Sequence, residues 1–383
     1  MEVYRVEDAM AECRVEALEV HLMARSAGIY LWDSQRVGKS QISRLFSIPH
    51  RAGMMEFWSS LVGIGMSFEE AIQRGDEVES LYRARGSCIL CPGDRDYPNR
   101  LYAMRHAPIV GVRGDVSLLR ARQMAVVGSR KTASHAEEVT RMLVEFCVKR
   151  GVCITSGGAF GVDALAHRGA MQFGGATIVV SAMGTEQIYP VENRDIFEYA
   201  RVHGVVMSQF PDRPVGHRPN FPLRNDVIAA LSDGVVVVHC REKSGALYTL
   251  QAARRMNRRV FVAAMQGFDS LTEGGLGCVR RSQAELLSTM SQLEEIFPEG
   301  SEGVQRSLAL PCYNDMERTV SGGMSDTHGR ILDILKLGGL YREEIRNRLD
   351  APPDLDASLL EMELNGEIAY CGGIIELRAV GRR

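Results

Sequence analysis

No stretch of this chain approaches the roughly 18 to 20 unbroken apolar residues that a membrane-spanning helix needs, so no such helix is predicted and a soluble protein is expected. The first residues, MEVYRVEDAMAEC, are acidic and broken by charges where a signal peptide is basic and then apolar, and a cytoplasmic location is expected from that. The 9 cysteines are odd in number, scattered and mostly inside apolar segments, which excludes a secreted disulfide framework. Only Cys88 and Cys91 have metal-ligand spacing. No second pair accompanies them, and a strand over Ser87-Cys88-Ile-Leu would send the two sulfurs to opposite faces, so no metal is predicted. A basic excess is missing too: the net charge of −3 rules out a globally basic nucleic-acid binder and makes any anion site a local one. Lysine is scarce, 5 residues against 40 arginines. Arginine suits bidentate phosphate contacts, but an excess spread over the whole chain reads as a coding bias.

What is present is enough chain for two or three domains in 383 residues. From about 123 to 265, short β-branched runs alternate with helical patterns, the signature of βαβ units and a parallel sheet. Strands are predicted at 123–127, 152–155, 176–180, 205–208, 234–239 and 259–264, with helices near 133–150, 161–173, 192–203, 224–232 and 244–257. The strands are apolar throughout, as strands covered on both faces must be. The fold class expected is α/β, a doubly wound Rossmann-like parallel sheet spanning 83–299. Residues 1–82 read as a helical domain of the SAM-like or helix-hairpin-helix-like kind, although Val62-Gly-Ile-Gly65 is read as a plain turn between helices before a phosphate-binding hairpin. Residues 300–327 read as a Gly- and Ser-rich linker. Residues 328–383, three amphipathic helices and a Gly-Gly hairpin, read as a winged-helix domain. Its 8 basic and 10 acidic side chains leave little for counterion release from DNA and favour a protein-contact role.

In an open α/β sheet, ligands bind outside the carboxyl ends of the strands. The loops there are Gly128-Ser-Arg-Lys131, Ser156-Gly-Gly-Ala-Phe-Gly161, Ala182-Met-Gly184, Gln209 to Asn225, Cys240 to Gly245 and Gln266-Gly267. Their glycines and small residues let a backbone approach a ligand, and Gly161, Ser244 and Gly245 stand at helix starts that favour anions. Ser156 to Gly161 is not G-x-G-x-x-G and no acid ends the next strand, so a dinucleotide cofactor is not expected. Gly38-Lys39-Ser40 copies only the end of a Walker A loop, without its first glycine or its strand. Asp163 and His167 share a helix face at i and i+4, but with no nucleophile beside them they read as structural.

Arg213-Pro-Val-Gly-His-Arg-Pro-Asn-Phe-Pro-Leu-Arg-Asn225 joins three arginines, a histidine and a ring with no acid between them. Cations for phosphates and a ring for a base suit a single strand; a proline-stiffened loop with Phe221 in the core fits the pattern equally well. The surplus of +5 over 241–259 tips the reading toward the strand and predicts one strongly basic rim of the sheet.

These segments, with Asp96-Tyr97-Pro98, Arg113-Gly114, Val127-Gly128-Ser129-Arg130, Tyr189-Pro190 and Phe221-Pro-x-Arg-Asn225 in one order from about 86 to 287, resemble the DNA-processing protein A (DprA, or Smf) family. The resemblance implies a non-enzymatic, cofactor-free protein that binds single-stranded DNA, forms a homodimer through the Rossmann-like domain, and loads the RecA recombinase onto incoming DNA in natural transformation. It implies contacts from Gly128, Ser129, Arg130 and Lys131, from Ser156, Gly157, Gly158, Ala159, Phe160 and Gly161, from Arg218, Asn220, Phe221, Arg224 and Asn225, and from Lys243, Ser244 and Gly245. Asp163 and His167 would support that site. The family usually has arginine where Asp226 and Phe160 stand, and the exchange should weaken binding and flatten its salt dependence. Two other classes remain: a phosphoribohydrolase-like nucleotide enzyme, whose glutamate motif only Gly184-Thr185-Glu186 echoes, and a scaffold of the same fold with reduced DNA affinity.

Overall fold

The apolar runs of this chain assemble, in a computed structural model, into a nine-stranded sheet with helices on both faces. The structure describes residues 20–35, 37–48, 51–61, 66–212, 219–264, 272–298 and 326–335, with separate positions from 340 to 377. The Val62–Gly65 turn, Arg218, Gln266-Gly267 and residues 300–325 of the expected linker lie outside the described residues.

In chain order the sheet strands are β1 Cys88–Leu90, β2 Val110–Gly114, β3 Gln123–Gly128, β4 Cys153–Ser156, β5 Thr177–Val180, β6 Val205–Ser208, β7 Gly234–Val238, β8 Arg259–Ala263 and β9 Glu285–Leu287. Their spatial order is β1-β2-β6-β5-β4-β3-β7-β8-β9. Seven neighbours from β6 to β9 run parallel; β2 pairs antiparallel with β6, and β1 with β2. The parallel sheet expected of the six strands over 123–264 is present, and the antiparallel β1 and β2 make the sheet as a whole a mixed one. The six strands predicted from continuous apolar runs are all present. The additional edge strand β9 shows the pattern that hid it: Glu285 and Leu286 are exposed and only Leu287 is buried, so it has no apolar run.

Alternation along the central strands feeds two cores. Ala125, Val127, Val235 and Val237 point to one face, against Val227 and Ile228 of α8 (Asn220–Leu231) and Leu250 and Ala253 of α9 (Ala246–Arg255). Met124, Val126, Val236 and Val238 point to the other, against Leu143 and Val144 of α5 (Ser134–Lys149) and Ala166 and Ala170 of α6 (Val162–Gln172). Each fully buried valine contributes about 1.5 to 3 kcal/mol of transfer free energy, which is why this alternation fixes strand register. Helix α7 (Arg194–His203) packs Ile196, Phe197 and Ala200 on β5 and β6, and α10 (Glu273–Arg280) leads to β9.

The N-terminal segment is helical over α1 (20–34), α2 (Lys39–Leu45), α3 (Arg51–Ser60) and α4 (Phe68–Ala84). Its core holds both tryptophans, and Trp58 lies 5.5 Å from Phe68 and Trp32 5.7 Å from Tyr82. Ile89 and Ile109, at the sheet edge, belong to the same core. Trp32 Nε1 donates to Gln209 O at 2.9 Å, and Arg25 bonds both Glu79 and Asp94. These helices consequently belong with the sheet in one compact unit, Met1–Leu310, and no packing break follows residue 82.

The second unit, Pro311–Arg383, contains α11 (Asp326–Leu335) and a three-stranded antiparallel sheet in the order β10 (Leu340–Tyr341), β12 (Ile374–Leu377), β11 (Ile368–Cys371). Ile331, Leu335, Ile345, Leu359, Ile368 and Ile375 share its core. Leu340 and Tyr341 pair antiparallel with β12. Among the described residues, no helix is long and apolar enough to cross a membrane.

Candidate nucleic-acid interface

The ends of β3, β4 and β7 lie side by side, so the loops that follow them meet. With the first turns of α8 and α9 they enclose a cleft of about 400 Å³. Its walls include Gly128, Ser129, Arg130, Ala159, Phe221, Arg224, Asn225, Lys243, Ser244 and Gly245, residues drawn from four separate segments of the sequence. Arg241, Tyr248 and Thr249 also line it.

The glycine loop after β4 is built from behind. Gly161 has φ +76°, and a Cβ there would lie 2.2 Å from Ser129 O, so only glycine brings α6 against the β3 loop. A Cβ on Gly157 would lie 1.8 Å from Arg224 Nη1. Asp163, in the first turn of α6, accepts the Gly157 N–H at 3.1 Å. Burial raises its carboxyl pKa, opposed by the charge of Arg224 and by the backbone N–H groups of Ala159 and Gly157. His167 Nε2 accepts the Gly158 N–H at 3.2 Å, while Nδ1 lies 2.7 Å from Thr177 Oγ1, whose own hydroxyl donates to Ile154 O. With that hydroxyl proton spent, Nδ1 carries the imidazole proton, and burial drives the pKa down to about 3. His167 is thus a neutral bracket for the loop.

Arg224 departs most from the sequence reading. That reading took 213–225 as a loop and set Arg224 toward phosphate; α8 instead begins at Asn220, with Pro222 tolerated in its first turn. The arginine is 5% exposed, and Nη1 donates to Gly157 O and, at 2.7 Å, to Val180 O. Burial lowers its pKa against the pull of Asp163. Its guanidinium ties the glycine loop to the end of β5. Asn225 accepts from Arg224 Nε at 3.1 Å and donates to Gly245 O at 3.3 Å, joining α8 to the β7 loop. Asn220 donates to Ala182 O at 3.1 Å.

The groups that face outward are different residues. Arg130, Lys131, Arg241 and Lys243 are exposed, and the Arg130 guanidinium sits 5.8 Å from the centroid of Phe221. Phe160 is 43% exposed beside the glycine loop. Ser156, Gly157 and Gly158 are buried, Ser156 Oγ donating to Val126 O at 2.6 Å, so these three shape the site from within. Ser244 Oγ accepts the Ala246 N–H at 3.3 Å at the start of α9. Asp226 accepts from Arg255 at 3.0 Å, which offsets its charge. The expected single basic rim is split: Arg241 and Lys243 follow the carboxyl end of β7, whereas Arg258 and Arg259 lie at the amino end of the parallel β8, at the opposite edge. There Arg259 is paired with Glu285 and Glu295.

Tyr248 was not foreseen from the sequence. The signal for it was the helix start at Ser244-Gly245, which turns the residue three positions on toward the same side. Among the described residues, no group of three or more His, Cys, Asp or Glu side chains is placed to hold a metal. Lys39 does not form a phosphate loop: its ammonium donates to Gln209 Oε1 and lies 5.3 Å from the Phe210 ring centroid. Burial lowers its pKa to about 8.

Comparison with known proteins points to a family. The model for "DNA recombination-mediator protein A" matches residues 88–298. The DNA processing protein DprA of Bacillus subtilis is 30% identical over 221 residues, covering 57% of this chain and 74% of that protein. Protein Smf of Escherichia coli K12 is 30% identical over 293 residues, covering 76% and 77%. Among solved structures, DprA from Streptococcus pneumoniae superposes with a TM-score of 0.54 at 23% identity, over 74% of this chain and 96% of that one. DNA processing protein A from Helicobacter pylori, a structure concerned with that protein's single-stranded DNA binding mode, gives 0.50 at 24% over 55% and 94%. At these identities the two structures show likeness of fold.

Proposed function

This chain belongs to the DNA recombination-mediator protein A family, and on that premise we propose that its cleft binds the backbone of single-stranded DNA and that the protein hands the strand to the RecA recombinase. The observation that carries this reading is the joining in one cleft of Arg130, Arg241 and Lys243 with the rings of Phe221 and Tyr248. Cations that follow phosphates and rings that stack on any base are what sequence-tolerant single-strand binding needs. Two helix starts, α6 and α9, border the same space and favour anions there.

In this reading the protein is a binder without catalysis. The one glutamate that echoes a phosphoribohydrolase motif, Glu186, accepts from Arg113 at 2.7 and 2.8 Å, and the Thr185 and Glu186 N–H groups are held by Asp212. The Rossmann-like unit forms the homodimer, and the C-terminal unit is a winged-helix module that contacts protein.

The test is fluorescence anisotropy of a labelled oligo-dT at two salt concentrations. Binding that weakens as salt rises supports the reading, with RecA loading as the next assay. Absence of binding to the strand, together with release of a base from a nucleoside monophosphate, transfers the cleft to the enzyme reading.

A further inference from the structure

Tyr189 stands outside the cleft and none of the assigned contacts includes it. Its ring is 49% exposed, and it meets Phe221 edge to face, with centroids 5.7 Å apart and planes at 64°. Phe221 in turn carries the Arg130 guanidinium at 5.8 Å, so a cation and two rings form one continuous surface from the cleft outward. The position of the tyrosine is fixed by the turn that follows it. Asn193, at the end of the 3₁₀ turn Val191–Asn193, donates to Gly158 O at 2.9 Å and to Ala159 O at 3.1 Å. The segment bearing Tyr189 is therefore bolted to the same glycine loop that forms the cleft wall. A large ring half-open to solvent, held next to a ring that lines the cleft, presents a π-face on which a flat partner can stack.

We propose that the single strand leaves the cleft over Phe221 and continues onto Tyr189, whose exposed face stacks a further base. The inference rests on the DNA reading above and adds a contact to it. Because the two rings already meet edge to face, one base does not lie between them; successive bases take one ring each, and the strand turns between them. Stacking of this kind is blind to base identity, in keeping with a protein that must accept any sequence.

The experiment compares wild type with Tyr189→Ala and Tyr189→Phe on two oligomers of equal length, dT and a fully abasic strand carrying the same phosphates. Tyr189→Ala is expected to weaken dT binding about five- to tenfold, at the low end for a stacked base, and to leave abasic binding within twofold. Tyr189→Phe is expected to restore the dT affinity. If Tyr189 merely props Phe221 and the loop, both oligomers lose affinity by the same factor, and the proposal falls. Unchanged dT binding by Tyr189→Ala also overturns it, while the cleft assignment stands. A wild type that binds neither oligomer removes both.

Discussion

Arg224 and Arg130 border one cleft, one buried and the other exposed. Arg224 spends its donors on two backbone carbonyls and faces a buried carboxylate, while Arg130 lies on an aromatic ring with its charge toward solvent. The first holds the loop that makes the cleft, and the second is available to whatever enters. The contrast extends to their neighbours. Behind the glycine loop stand Asp163, His167 and Arg224, buried and bonded to backbone. In front stand Arg241, Lys243 and Tyr248, all exposed. The inner set supplies shape, the outer set supplies attraction, and residue type alone does not separate them.

The sharpest way to break this comparison is Arg224→Ala. Removing the guanidinium leaves Gly157 O and Val180 O without that donor and Asp163 without its neighbouring charge, so about 3 to 5 kcal/mol of stability should be lost. Urea denaturation measures it. A variant as stable as wild type that nevertheless loses DNA would move Arg224 to the outer set.

His167 tests the inner set by pH. Its folded pKa, about 3, lies below the ordinary value of 6.5, so its stabilisation is complete above pH 6.5 and is lost as pH falls from there toward 3. Burial shifts Asp163 upward, and its contribution runs in the opposite sense, lost as pH rises. The quantity to measure is accordingly the stability difference between wild type and His167→Gln, which should shrink by about 1.4 kcal/mol per pH unit below 6.5. A difference independent of pH from 7 to 5 would show that the imidazole is not buried neutral.

The outer set should behave in the reverse manner. Arg130→Ala with Lys243→Ala is expected to keep the urea midpoint and to lower oligo-dT affinity about tenfold at low salt. The slope of log affinity against log salt should become shallower by about 1.4, the value for two phosphate contacts on a single strand. Loss of stability without a change in slope would place these cations among the supports.

Smaller still is the effect of Asp226→Asn, which releases Arg255 from its ion pair. A rise in affinity within about threefold is expected, because an exposed pair holds little energy. Arg259→Gln, at the far edge with its glutamates, should leave DNA affinity within about twofold, and anisotropy serves for both.

Much of the sheet was legible because strands covered on both faces are mostly apolar, a pattern that β3 to β8 carry with polar residues chiefly at their ends. The edge strand β9 lacked that pattern. The start of α8 was hidden by Pro219 and Pro222, which punctuate loops more often than they open helices, and with it the burial of Arg224 was hidden. The loops of the cleft were legible as glycine and small residues following strands. The partners of each arginine were not, since Gly157, Val180 and Glu285 lie 67, 44 and 26 residues away from the arginines they meet.

By itself the sequence determined the α/β class, the central strands and helices, and the segments that converge on the cleft, because hydrophobic periodicity and glycine placement are local properties; the family followed from the order of whole motifs along the chain. Only the tertiary structure decided that the N-terminal helices share a unit with the sheet, that the basic residues of 241–259 divide between opposite ends of parallel strands, and that Arg224 faces inward while Arg130 faces out. Charge is written in the chain, but the desolvation and the partners that turn a charge into a support or a binding group arise only when distant segments pack together.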